Sequence, residues 1–309
     1  MDNAAKRFLF AAVALAVIVS LCSSYFNRYY LGVAIDVGIN VILAVSLNLI
    51  NGHTGQFSLG HAGFMAVGGY TTAKFALLLQ GQLPPWAQPL IFVAGLLLGG
   101  SMAAVAGLAV GVPTLRLKGD YLAIVTLGFG EIIRVIFQTT EAFGAATGLT
   151  GIPHWTNFAW TWSCAALTVF VVACLVNSTY GRGFIAVHDD EVAAGAMGIN
   201  PVRYKITAFV IGAFFAGVAG GLYAHHKQFL SPGGFDFLKS IDIVVMVILG
   251  GMGRTVGVII AAVLLTILPE ALRGFAGYRM ILYSLLIIIL MLTRPQGLFT
   301  FGRAAQRKV

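Results

Sequence analysis

Charge is what this chain has least of. Only 10% of its 309 residues are Asp, Glu, Lys or Arg, whereas soluble domains carry roughly 25%. With 59% hydrophobic residues and a mean hydropathy of +0.90, too little polar surface exists to cover a water-soluble globule. The bilayer must be the main solvent. Short alternating segments, the mark of a membrane barrel, are also missing. The apolar stretches at 8–21 and 281–292 run unbroken, as spanning helices require.

Patterns that carry covalent chemistry are missing too. No lysine follows a glycine, so a GxxxxGK[ST] phosphate loop is excluded and ATP is not bound by that means. Cys22, Cys164 and Cys174 lie in or at the ends of apolar runs without CxxC spacing and read as packing residues. His53, His61, His225 and His226 have no carboxylate or cysteine at metal-ligand spacing. No Ser/His or His/Asp constellation is visible, so neither cofactor, metal nor enzymatic activity is expected. The formal charge of +8 comes from scattered single residues rather than a basic stripe, which argues against a nucleic-acid partner. Lys6-Arg7 ahead of an apolar run looks like a leader, but Leu21 before Cys22 is a poor cleavage site, so a retained first helix is expected.

Apolar runs bounded by Gly, Pro or charge predict about ten segments: 8–26, 29–50, 58–79, 86–112, 121–138, 158–177, 206–225, 235–250, 255–272 and 279–293. The expected fold class is an all-α polytopic membrane protein of about ten transmembrane helices, a single transmembrane domain over 1–309. An even count puts both termini on one side. Placing them in the cytoplasm leaves Lys6, Arg7, Arg116, Lys118, Arg182, Arg203, Lys205, Arg254, Arg294, Arg303, Arg307 and Lys308 inside, against Arg28, Lys74, Arg134, Lys227, Lys239, Arg273 and Arg279 outside or near the outer ends, and the 139–157 loop, outside, has no Lys or Arg.

Two places depart from straight spanning helices. Residues 51–63, NGHTGQFSLGHAG, and 249–257, LGGMGRTVG, mix glycine with polar groups beside apolar flanks. Such breaks at membrane depth survive only where protein or water covers them, and they mark a pathway or an interfacial turn. Asn48, Gln56, Ser58 and His61 are the candidate pathway residues. Asp36, Glu131, Arg134 and Asp242 lie inside apolar runs, where a charge costs at least about 2.5 kcal/mol and faces protein or water. Glu131 and Arg134, three apart, fit one helix face. The glycines of GAFFAGVAGGLYA (212–224) read as close helix packing.

The long polar interruption is 181–204, GRGFIAVHDDEVAAGAMGINPVRY. Asp189, Asp190 and Glu191 suit a first helical turn, and Asn200-Pro201 suits a stop. A helix of about three turns is expected, with Val192, Ala196 and Ile199 near one face and small residues suited to docking a protein.

At these residues the sequence resembles the EAA-type coupling loop of ABC-importer permeases. Beyond it, SLGHAGFMAVGGY (58–70), KGDYLAIVTLGFGEIIRV (118–135), GLTGIP (148–153), LGGMGRTVG and RPQGLF (294–299) are similar to the LivM branch of high-affinity branched-chain amino-acid permeases. The resemblance implies a vitamin-importer-like (type II) architecture in a bacterial inner membrane, with a coupling loop at 178–205 whose contacts with an ATPase involve Asp190, Glu191, Ala194 and Gly198. It also implies four partners: a LivH-like second permease as heterodimer, two cytoplasmic ATPase subunits and a periplasmic substrate-binding protein. His188 stands where the family's loop often has a further charge. Urea and amide importers share this architecture, and an autonomous ion-coupled carrier is the rival of another class.

Overall fold

The computed structural model describes residues 27–80, 84–114, 120–275 and 278–293, with Leu9, Val13, Ala14 and 16–20 before them. Eleven helices are named here: α1 (Arg28–Asn48), continued by a π-helical turn Leu49–His53; α2 (His61–Leu79); α3 (Gln88–Thr114); α4 (Asp120–Thr139); α5 (Phe158–Val176); α6 (Thr179–Asp189); α7 (Glu191–Ala196); α8 (Pro201–Lys227); α9 (Phe237–Gly250); α10 (Thr255–Ala271); and α11 (Arg279–Thr293).

Among the described residues, seven stretches are long and apolar enough to cross a membrane: Arg28–His53, α2, α3, Tyr121–Thr139, α5, α8 and Thr255–Gly274. The helix α9, at 14 residues, falls short of the roughly 20 that a full span needs, and the described part of α11 covers 15. Most of the expected segment 8–26 lies outside the described residues, as do Arg116, Lys118 and the RPQGLF ending. The chain is thus a helical, polytopic membrane protein.

Helix starts are set by short polar side chains. Asn27, Asn157, Ser178, Asp190, Asn200 and Asp236 each accept a hydrogen bond from a backbone N–H in the first turn of the helix that follows. Two expectations are corrected here. Asn200-Pro201 starts α8 rather than ending the helix before it: Asn200 Oδ1 accepts from Arg203 N at 3.2 Å, and Pro201 occupies a first-turn position that has no N–H to lose. The polar interruption also does not hold the expected helix of about three turns between Asp189 and Asn200, since α7 has only 6 residues. It is a helical pair, α6 and α7, broken at Asp190, whose extended backbone (φ −155°, ψ 111°) caps α7.

At the centre is α1, where every residue from Val37 to the end of the π turn is buried. Beside it α2, α3 and α8 pack through small residues. A Cβ at Gly68 would strike the Gly217 backbone at 2.2 Å, one at Gly217 would strike Ala103 Cβ at 2.5 Å, and one at Gly220 would strike Met65 O at 1.9 Å. This close packing is what the glycine-rich run at 212–224 led one to expect, and in lipid it replaces the hydrophobic effect as the source of helix association. By contrast α4 and α5 are buried over only 22% of their length and form the periphery.

The connections sort to two ends. At one, Leu149 and Leu230 exchange backbone hydrogen bonds at 2.8 and 3.0 Å, Lys74 Nζ donates to Ala142 O, and Lys227 Nζ donates to Asp36 Oδ2 at 2.8 Å. At the other lie the break after α1, the α6–α7 pair and the α9–α10 loop.

Candidate functional site

The two breaks singled out in sequence meet in space. Asn48, in the last turn of α1, accepts from Gly253 N at 2.9 Å through Oδ1. A Cβ on Gly52 would lie 2.2 Å from Gly253 N, so only glycine lets the π turn and the α9–α10 loop approach this closely. Asn51 Oδ1 accepts from Ser58 N, and Gln56 N donates to Ile50 O, folding 54–60 back under the helix end. The connection then rises into the molecule. Leu59 N donates to Thr126 Oγ1 of α4, and Ala62 N donates to Ser240 Oγ of α9, so α2 starts well inside the helical layer.

The four pathway candidates, Asn48, Gln56, Ser58 and His61, are all buried in this region. His61 Nε2 lies 2.9 Å from Ser46 Oγ, whose own hydroxyl donates to Leu43 O, so His61 is the donor of that contact. Of the nine buried side-chain atoms that find no hydrogen-bond partner among the described residues, seven lie here: Asn48 Nδ2, Asn51 Nδ2, His53 Nε2, both amide atoms of Gln56, Ser58 Oγ and His61 Nδ1. Each such group costs about 1–3 kcal/mol if left dry. A run of them in 14 residues of chain does not fit a structural core and does fit a lining that water or a polar solute visits. Asn51 and His53 belong to this set and were not selected from sequence, although both lie in the flagged glycine-rich segment.

The α6–α7 pair sits directly against this break. A Cβ on Gly55, which has φ +69°, would lie 3.0 Å from His188 Cδ2. Tyr180 stacks on Tyr204 with ring centroids 4.4 Å apart, Phe184 meets both edge-on, and Tyr180 Oη lies 3.0 Å from Thr207 Oγ1. Glu191 is bound to Lys205 Nζ at 2.7 Å. The pair is therefore fastened to the first turns of α8 on one side and touches the break on the other.

Of the four coupling candidates, Asp190 caps α7 through Oδ1, accepting from Val192 N at 2.8 Å and Ala193 N at 3.0 Å. These backbone donors, Ala193 foremost, hold its carboxyl below the ordinary 3.8, so the capping charge is present at neutral pH. Gly198 has φ +83° and ends α7, with Ile199 N donating to Ala194 O and Gly198 N to Gly195 O. Ala194 is buried against the chain, whereas Val192 is 73% and Met197 83% exposed. The apolar face expected toward a partner is thus carried by Val192 and Met197, with Ile199 half-buried.

Other intramembrane charges found partners that spacing could not reveal. Asp36 pairs with Lys227 and lies 3.7 Å from His226, although sequence gave His226 no carboxylate neighbour. Among the described residues no group of three or more His, Cys, Asp or Glu is placed to hold a metal.

Residues 29–293 match the family described as branched-chain amino acid transport system / permease component. The chain is 38% identical to the high-affinity branched-chain amino acid transport system permease protein LivM of Escherichia coli (strain K12), over 96% of this chain and 76% of that protein. It is 25% identical to the probable branched-chain amino acid transport permease protein LivM of Methanocaldococcus jannaschii, over 84% of this chain and 90% of that one. The E. coli permease protein LivH is 23% identical over 87% of this chain and 92% of its own length. No solved structure gives a significant match. With the family spanning nearly all of the described helices, this chain belongs to the branched-chain amino-acid transport system permeases.

Proposed function

We propose that this chain is one half of the membrane channel of an ATP-driven importer that carries branched-chain amino acids inward. Its pathway runs past the buried polar break formed by 48–61 and 251–254. The observation that carries the reading is the direct contact between that break and the exposed α6–α7 pair, Gly55 against His188, in a chain with apolar side chains presented outward at Val192 and Met197.

ATP hydrolysis belongs to separate cytoplasmic subunits, which grip α7 by Val192 and Met197 through a helix-in-groove contact. Asp190, Glu191, Ala194 and Gly198 keep α7 in shape and tied to α8. When the ATPases move, the pair moves as a body, because Tyr180, Phe184 and Glu191 fasten it to Tyr204, Thr207 and Lys205. The displacement reaches α8 through those contacts and the break through His188. Access then alternates between the two ends. A second, LivH-like permease completes the channel, and a periplasmic protein delivers substrate. Both termini are cytoplasmic, about ten helices cross the inner membrane in a type II arrangement, and 1–309 form one domain with its coupling loop at 178–205.

Uptake of radiolabelled leucine into proteoliposomes tests this. The chain reconstituted with its second permease, ATPases and loaded binding protein is expected to take up leucine only with ATP inside the compartment facing α7. Uptake by the chain alone would refute the reading and favour an autonomous carrier.

A further inference from the structure

We propose that Glu131 and Arg134 of α4 form a transient subsite for the two charged ends of a zwitterionic amino acid; this rests on the transport reading above. Glu131 lies near the middle of a membrane-crossing helix, and its Oε2 accepts from Arg134 Nε at 2.7 Å. Both side chains remain partly open, at 32% and 29% exposure. Charges at this depth face protein or water rather than lipid. The pair does not saturate itself: among the described residues no other hydrogen bond engages the terminal nitrogens of Arg134 or the second oxygen of Glu131.

Glu131 borders a narrow crevice between α4, the start of α2 and the start of α9, lined also by Leu59, Leu127, Asp236, Phe237 and Ser240. Its level is fixed by close backbone approach, since a Cβ on Gly63 would lie 3.0 Å from Gly130 Cα. The chemistry of the walls is graded. Carboxylates of Glu131 and Asp236 suit an ammonium group, the planar guanidinium of Arg134, one turn along α4 and bonded to Glu131, suits a carboxylate in two-point contact, and Leu59, Leu127 and Phe237 suit a branched aliphatic side chain. The crevice as it stands is too tight for leucine. It opens when the starts of α2 and α9 part, and Ala62 N to Ser240 Oγ is the hydrogen bond that joins them. That places the subsite on the moving seam of the pathway.

The assembled transporter carrying E131Q and R134Q together is compared with the unaltered complex for leucine uptake, subunit recovery and ATP hydrolysis stimulated by the binding protein. The expected result is uptake at least ten-fold slower, with subunits recovered in full and ATP hydrolysis retained. Undiminished uptake overturns the proposal, since a pair kept only for helix stability is dispensable once both charges are gone. Loss of the second permease on purification also overturns it, by making the pair a subunit contact. Should the double variant fail to insert, G128C replaces it, because nothing lies within 4 Å of the position a Cβ would take there. Maleimide labelling of that thiol is expected to slow several-fold under leucine-loaded turnover, and unchanged labelling overturns the proposal. Failure of the unaltered complex to take up leucine would instead strike the transport reading itself.

Discussion

The buried break at 48–61 and the exposed pair α6–α7 depart from ordinary folding rules in opposite directions. In the break, polar atoms are enclosed without partners; on α7, large apolar side chains stand in the open. Unpaired donors and acceptors inside a helical layer suit water or a polar solute, whereas exposed apolar side chains such as Val192 and Met197 suit a protein surface. The two regions touch at Gly55 and His188, so the demand of one can be coupled to the state of the other.

The contrast is broken most severely on the outer side of α7. Replacing Val192 and Met197 together with Asp removes two apolar anchors, each worth about 1.5–3 kcal/mol when fully buried. The ATPases are expected to copurify at least a hundred-fold less well, while the permease itself stays inserted, because neither side chain supports the chain's own core. Quantitative co-purification from detergent checks this, and normal ATPase recovery would mean that α7 docks nothing through this face.

A smaller effect is expected in the break. Asn48→Leu deprives Gly253 N of its acceptor, and an unmet backbone donor costs about 1–3 kcal/mol. The thermal transition of the solubilised complex should shift to lower temperature and leucine uptake should drop, with co-purification of the ATPases unchanged. A variant that lost the ATPases instead would show that the break supports the docking surface and would erase the distinction between the two regions.

Much of the fold was legible because lipid imposes a simple rule: apolar runs long enough to cross become helices. The predicted segments at 121–138, 158–177 and 279–293 match α4, α5 and α11 to within a residue. Legibility failed where capping chemistry decided the outcome. Asp190 and Asn200-Pro201 each suit either a helix start or a helix end in a one-dimensional reading, and only the side-chain bonds to Ala193 N and Arg203 N settle which. The glycine-rich breaks were visible as anomalies, but not their meeting. Asn48 and Gly253 are 205 positions apart, and no local pattern encodes that hydrogen bond. Burial was equally hidden: Ala194 and Val192 look interchangeable in sequence, yet one packs inward and the other outward.

The finest test of the contrast separates the shape of α7 from its surface. Gly198 ends the helix in the left-handed region, at φ +83°, where a residue with a side chain pays about 1–2 kcal/mol unless it is Asn or Asp. No atom lies within 4 Å of the position its Cβ would take, so steric collision within the chain plays no part. Gly198→Val should therefore loosen the last turn of α7 and lower ATP-driven uptake several-fold, whereas Gly198→Asn should retain most of it. If Asn fails as badly as Val, the open space at Gly198 is filled by the ATPase, and the position is a contact rather than a turn. Equal and nearly normal uptake by both would show that docking through Val192 and Met197 restores the turn by itself, which places the coupling strength in the apolar face and not in the geometry that presents it.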